Sequence, residues 1–177
     1  SAKYSCEFFL ARYPVTFAEY CKFLDDCFDD SENPDSSELI PSWGSQPYVS
    51  WGPDGTFAVL SRRGPDTSTL LPSHPVVALT RNAMQLYCDW LGKRIDKTVR
   101  LTTEEQWGRA ARGADGRIYP WGNGFDWSFA KGGRSRDGQP SPEPVGSFAI
   151  DRSPFDVQDL AGGVRELCDF VDDPSEC

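Results

Sequence analysis

An α+β domain with few helices, short strands and long stretches of irregular backbone is the fold class this sequence predicts. Three observations carry that expectation. Apolar residues recur at helical spacing in three segments, each opened by a Thr that can cap it. Between Pro41 and Pro72 the chain is rich in Gly, Pro, Ser and Trp around brief apolar pieces, and no helical period is found beyond Gly113. The chain's 177 residues fit one domain, 1–177, with 6 Trp, 6 Tyr and 11 Phe to supply large buried areas.

In chain order, Phe8, Phe9 and Leu10 form a short apolar run expected to be a buried strand, and Pro14 breaks the chain before a helix. Thr16 and Glu19 make a capping box. Phe17, Tyr20, Cys21, Leu24 and Phe28 then recur at helical spacing, so an amphipathic helix is expected from Thr16 to about Phe28. The acidic run from Asp25 to Glu38 lacks the alternating Asp and central Gly of an EF-hand and reads as a solvated loop. Turn chemistry in Trp51-Gly52-Pro53-Asp54-Gly55 is placed to close a hairpin onto Phe57–Leu60.

A second helix is expected after Thr80, with Ala83, Leu86, Tyr87, Trp90 and Leu91 on one face and Gly92 as its end. Thr102 with Glu105 reads as the capping box of a third, packed through Trp107, Ala110 and Ala111 and stopped by Gly113. Arg100, Glu105 and Arg112 flank it as candidates for buried or half-buried ion pairs. In Tyr119-Pro120-Trp121-Gly122 two aromatics are set about a rigid Pro before a Gly free to take positive φ, a device for pinning irregular backbone to a core.

Composition excludes several function classes. A formal charge of −9 opposes binding to a nucleic-acid backbone. No apolar run approaches the roughly 20 residues that span a bilayer, and no signal-peptide pattern opens the chain, so a cytoplasmic setting without membrane contact is the expectation. Six cysteines without a C-x-x-C pair read as reduced thiols, with Cys88 and Cys168 buried and inert. His74, beside Pro75, reads as structural, and no phosphate-binding glycine loop, hydrolase elbow or zinc spacing is present.

The motifs occur in an order that resembles the formylglycine-generating enzyme, or sulfatase-modifying factor, family. His74-Pro75-Val76-Val77, Tyr87-Cys88-Asp89-Trp90-Leu91, Arg100-Leu101-Thr102-Thr103-Glu104-Glu105-Gln106-Trp107 and Ala110-Ala111-Arg112-Gly113 are similar to its central run. Asp115–Gly122, Pro144–Phe148 and Asp159–Cys168 continue the likeness, and Tyr13–Thr16 with Tyr20 resembles its first helix and lead-in. The resemblance implies a C-type-lectin-like fold. It also implies a calcium held by the Asp159 and Glu166 carboxylates and the Gly162 and Val164 carbonyls, a donor set suited to a hard cation. Spacing alone reads that segment as a capped turn with solvated acids. Gly163 and Leu167 depart from the family's Asn and Trp, and Lys131 stands where a second cation site would want a neutral oxygen, so no second site is expected.

Family oxidases bind copper through two cysteines beyond an Arg-Gly-Gly-Ser-Trp segment, and these 177 residues contain no such run; relatives with an iron site use several His, against one here. Two readings follow. One is a non-catalytic binding or regulatory module, calcium-stabilised, similar to domains attached to bacterial serine/threonine kinases and other signalling proteins, or to variable ligand-binding proteins; Asp151–Val157 resembles the kinase-linked members. Its exposed Trp-rich and Gly-rich loops would then hold a protein or peptide partner. The other is a fragment of a longer, copper-dependent oxidase that converts a sulfatase cysteine to formylglycine, the copper cysteines lying outside this stretch.

Overall fold

A computed structural model describes residues 7–28, 38–60, 69–137 and 142–169. Among these residues the chain is mixed α and β, with three helices, four short strands in two antiparallel pairs, and irregular backbone from Gly113 to the end.

Helix α1 (Phe17–Cys27) has the expected capping box: the Thr16 hydroxyl accepts from the Glu19 N–H, and the Glu19 carboxylate accepts from the Thr16 N–H. It buries Phe17, Tyr20, Cys21, Phe23 and Leu24. Phe23 lies outside the stripe that spacing picks out, because this helix is covered on a wider face than a single stripe. Strands β1 (Ser42–Trp43) and β2 (Gln46–Pro47) form one ribbon, β3 (Val49–Trp51) and β4 (Phe57–Val59) the other, as the turn at 52–56 requires. The second ribbon is tied to α1 by the Phe57 N–H, which donates to Asp25 Oδ1 at 2.6 Å, and by Phe28 against Phe57.

Helix α2 (Arg81–Ile95) starts at Thr80 as expected, but Gly92 does not end it. The helix runs one further turn to Asp96, which takes the left-handed conformation at φ 53°. Gly92 is needed inside the helix because the departing chain crosses it: a Cβ there would lie 2.7 Å from the Lys97 carbonyl oxygen. Leu86 is 40% exposed and does not join the buried face. Helix α3 (Glu104–Arg112) is capped by Thr103 with Gln106, one residue later than Thr102 with Glu105. Both Thr residues satisfy the pattern. Tertiary pairing chooses between them, since the Thr102 carbonyl accepts from the Asp169 N–H at 2.8 Å and Thr103 is buried. Thr103→Ala should therefore cost about 1 kcal/mol, whereas Thr102→Ala should change the urea midpoint far less; equal losses would contradict this register. Gly113 does end α3, at φ 65°.

The main core gathers Phe17, Tyr20, Phe23, Leu24, Ile40, Val49, Phe57, Leu70 and Tyr87 between α1, α2 and the second ribbon. A smaller one packs Ala111, Val157 and Leu160 with Trp107 and Leu10. Two expectations fail here. Residues 8–10 form no strand, and Phe9 is 95% exposed; Leu10 alone reaches an apolar cluster. Arg100, Glu105 and Arg112 are all exposed, because α3 turns its Ala face inward and its charged face to solvent, so they form no buried ion pair.

Candidate functional site

The stretch from Asp159 to Glu166 is held from three sides, all outside its own sequence. Beneath it runs the chain at Lys131, whose carbonyl accepts from the Gly163 N–H at 3.1 Å. Gly162 rests on that same carbonyl so closely that a Cβ would lie 1.9 Å from its oxygen. Asp159 is left-handed at φ 61°, and its Oδ2 accepts from the Gly146 N–H at 2.6 Å. From α3 the Trp107 indole N–H donates to Glu166 Oε2 at 2.9 Å. Each of these two carboxylates thus has one oxygen engaged by a donor.

Of the sequence-derived set, the structure puts Asp159, Gly162 and Val164 along the wall of one cavity, and Glu166 lies against Trp107. Burial pushes the Asp159 carboxyl up. Glu166 is exposed as a residue, yet packing round its carboxyl raises that group too, with the Asp159 charge adding to the effect. The Gly162 carbonyl accepts from the Val164 N–H at 3.1 Å and keeps a second lone pair. Among the described residues no three His, Cys, Asp or Glu side chains converge as metal ligands, so a cation here would depend on backbone carbonyls beside the two carboxylates.

Asp151 was missed by sequence reasoning. It is 1% exposed, and both its carboxylate oxygens accept from the Ala161 N–H, so it braces the start of the same stretch. The likeness of Asp151–Val157 to kinase-linked members assigns it no role, and between Ile150 and Arg152 no period marks it as buried. Burial is the main cause that raises its pKa from 3.8 to about 6, and the charges of Asp159 and Glu166 add to it. The folded state therefore holds this proton more tightly than the unfolded chain. In chelator, stability from this group should fall as pH rises from about 4 to about 6. Asp151→Asn should flatten that part of the pH–stability curve; an unchanged slope would contradict the assignment.

A second feature lies along 118–134. Tyr119 and Trp121 stack with ring centroids 5.1 Å apart and planes 6° apart, as the Pro120 turn suggests, and Gly122 takes φ 135°. Phe125 packs on Tyr119, Phe129 on Trp121 and Trp127 on Phe125, with the Arg134 guanidinium 5.1 Å above Trp127. Much of this array faces solvent: Ile118, Phe125 and Trp127 are each more than half exposed.

The described cysteines are ill-suited to thiolate chemistry. Burial raises Cys21 to about 11, and Cys27, Cys88 and Cys168 are raised by the same cause and by nearby acids. Cys88 is buried as expected; Cys168 is half-buried. His74 is 3% exposed, its Nδ1 accepts from the Leu71 N–H, and burial lowers its pKa, all consistent with a structural role.

A family model described as the sulfatase-modifying factor enzyme 1-like domain matches residues 3–175. The chain is 40% identical over 101 residues to the inactive C-alpha-formylglycine-generating enzyme 2 of Bos taurus, covering 52% of this chain and 31% of that protein. It is 32% identical over 141 residues to the formylglycine-generating enzyme of Thermomonospora curvata, covering 72% of this chain and 41% of the enzyme. To the serine/threonine-protein kinase pkn1 of Chlamydia pneumoniae it is 27% identical over 165 residues, 91% of this chain but 22% of the kinase. The matched stretch is thus less than half the length of each of these relatives.

Proposed function

The chain belongs to the sulfatase-modifying factor enzyme 1-like domain family, and we propose that within it this is a non-catalytic, calcium-braced module of C-type-lectin-like fold that holds a protein or peptide partner. The observation that carries the reading is the aromatic array at 118–134. Ile118, Phe125 and Trp127 are presented to solvent by irregular backbone that Tyr119, Trp121 and Phe129 anchor from behind. Rigid aromatics supply large contact area at small entropic cost, and clustered exposed apolar side chains mark interaction surfaces.

One further fact favours it over oxidase chemistry. Of the three relatives described above, one is named inactive and one is a kinase of much greater length. A single domain over 1–177, in the cytoplasm and attached to a longer signalling polypeptide, belongs to the same reading. No helix among the described residues is long and apolar enough to cross a membrane.

Selection of a random peptide library on the immobilised protein tests the partner. Sequences enriched on the wild type and lost on a Phe125→Ser, Trp127→Ser variant are expected; equal enrichment on both, or none, overturns the reading. Formylglycine formed on a Cys-x-Pro-x-Arg peptide with copper and oxygen would establish the oxidase instead.

For calcium, the residues present fit the ion. Asp159 and Glu166 each have one oxygen engaged and one remaining, and both carboxyls sit where packing disfavours their charge. Asp159 and Glu166 with the Gly162 and Val164 carbonyls would hold it, and it would supply a positive charge beside these two carboxylates. Chelator should lower the melting temperature and added calcium restore it, by about 2.7 kcal/mol at a hundredfold excess over Kd. Asp159→Ala with Glu166→Ala should abolish the response; no calcium dependence in the wild type removes the ion from the reading.

A further inference from the structure

A cavity of about 370 Å³ opens beside the Asp159–Val164 loop, walled by Leu70, Val77, Val145 and Phe148 and bordered by Lys131 and Glu143. Its size suits one amino-acid side chain or a small organic molecule. Lys131 carries the charge that gives it selectivity. That side chain is only 18% exposed, yet among the described residues its ammonium has one carboxylate within 4.0 Å, that of Glu143, at 4.0 Å. This is beyond hydrogen-bond distance, so among the described residues its three N–H donors meet no acceptor at hydrogen-bond length. A largely buried cation in this condition favours an anion brought to it.

The acids nearby do not take up that capacity. The Glu143 oxygen nearest Lys131, Oε1, already accepts from Arg136 Nε at 3.2 Å, so Glu143 remains paired if Lys131 turns to a ligand. Asp159 directs Oδ2 to the Gly146 N–H. His74 also borders the cavity, where burial lowers its pKa against the opposing charge of Glu143, and Lys131 is the only Lys or Arg of the described lining.

We propose that this cavity binds a carboxylate joined to a compact apolar group, the carboxylate on the Lys131 ammonium and the apolar group against Phe148, Val77, Leu70 and Val145. The site stands on these observations and needs neither the calcium nor the aromatic array. Such chemistry comes from a free amphipathic acid or from the C-terminal residue of a peptide.

Three probes separate the cases on the full chain by calorimetry and amide chemical shifts: N-acetyl-leucine, N-acetyl-leucinamide and a pentapeptide ending in free leucine. At least one acid probe should bind, and the amide should bind about tenfold more weakly or not at all. Tighter binding of the pentapeptide assigns the site to chain termini; equal or tighter binding of N-acetyl-leucine assigns it to free acids.

Lys131→Met keeps the stem's length and the main-chain carbonyl that seats Gly162, and should lose about tenfold or more. Gly133→Phe adds a ring to the cavity lining at a backbone position with nothing within 4 Å of a Cβ, and should block both acids. Circular dichroism confirms that both variants fold. Failure of both acid probes to bind, an amide as tight as the acid, or a Lys131→Met protein that binds like the wild type overturns the proposal.

Discussion

Gly162→Ala is expected to be among the most damaging single substitutions outside the core, costing about 3 kcal/mol. The added Cβ would lie 1.9 Å from the Lys131 carbonyl oxygen and 2.9 Å from its carbon. Those are backbone atoms, and they cannot rotate away as the end of a side chain would. The Lys131 carbonyl is also the acceptor for the Gly163 N–H. Separating the two segments by the needed distance therefore breaks that hydrogen bond as well. For a chain of this length each kcal/mol lowers the melting temperature by about 2–4 °C, so a drop of about 6–12 °C is expected. Gly133→Ala is the control, since nothing lies within 4 Å of its Cβ and its φ is unstrained; it should stay within about 0.5 kcal/mol. Because the clash is steric, the loss should persist in chelator, which separates it from any loss of calcium. Equal melting of the two variants would mean that the 131–133 segment is not seated under the loop.

Phe23→Ala should cost about 3–5 kcal/mol, a large fraction of a typical domain's stability. Phe23 is 1% exposed, with Tyr20, Tyr87 and Trp90 rings 5.2, 5.7 and 5.6 Å away, and it joins α1 to α2. Truncation removes its own buried area and leaves a cavity that three rings anchored elsewhere cannot close. Tyr20 is fixed by its hydroxyl, which donates to the Leu39 carbonyl at 2.8 Å. Trp90 is fixed by its indole N–H on Asp26 Oδ2 at 2.9 Å. Urea denaturation reads the effect as a fall in midpoint at unchanged slope. Leu86→Ala, on the exposed face of α2, should move the midpoint little; similar losses at both positions would contradict the assigned face of α2.

Local signals were legible wherever the physics is local. The Thr16–Glu19 box, the 52–56 turn, the Thr80 cap and the Gly113 stop all depend on residues within a few positions, and each stands where its pattern places it. Patterns that admit two solutions were decided elsewhere. Thr102 and Thr103 are both able to cap α3, and the Asp169 N–H on the Thr102 carbonyl selects the second. Gly92 carries the composition of a helix end but serves a crossing by Lys97. Phe8 and Phe9 are apolar enough for a core strand, yet among the described residues no neighbouring strand pairs with them, and Phe9 faces solvent.

The candidate site divides in the same way. The resemblance to the family singles out Asp159, Gly162, Val164 and Glu166, whereas spacing alone reads that short stretch as a capped turn with solvated acids. What presses on them comes from far away: Lys131 beneath, Gly146 and Asp151 beside, and Trp107 above on α3.

By itself the sequence determined the class of fold, the three helices with two of their three caps, the hairpin and the family. Only the tertiary structure decided the register of α3, the buried state of Asp151, the cavity at Lys131 and the exposed face of the aromatic array. The physical reason is range. Capping, turn geometry and amphipathic period act over a few residues and are written in their order, whereas desolvation and steric contact depend on which distant segments the fold brings within a few ångströms.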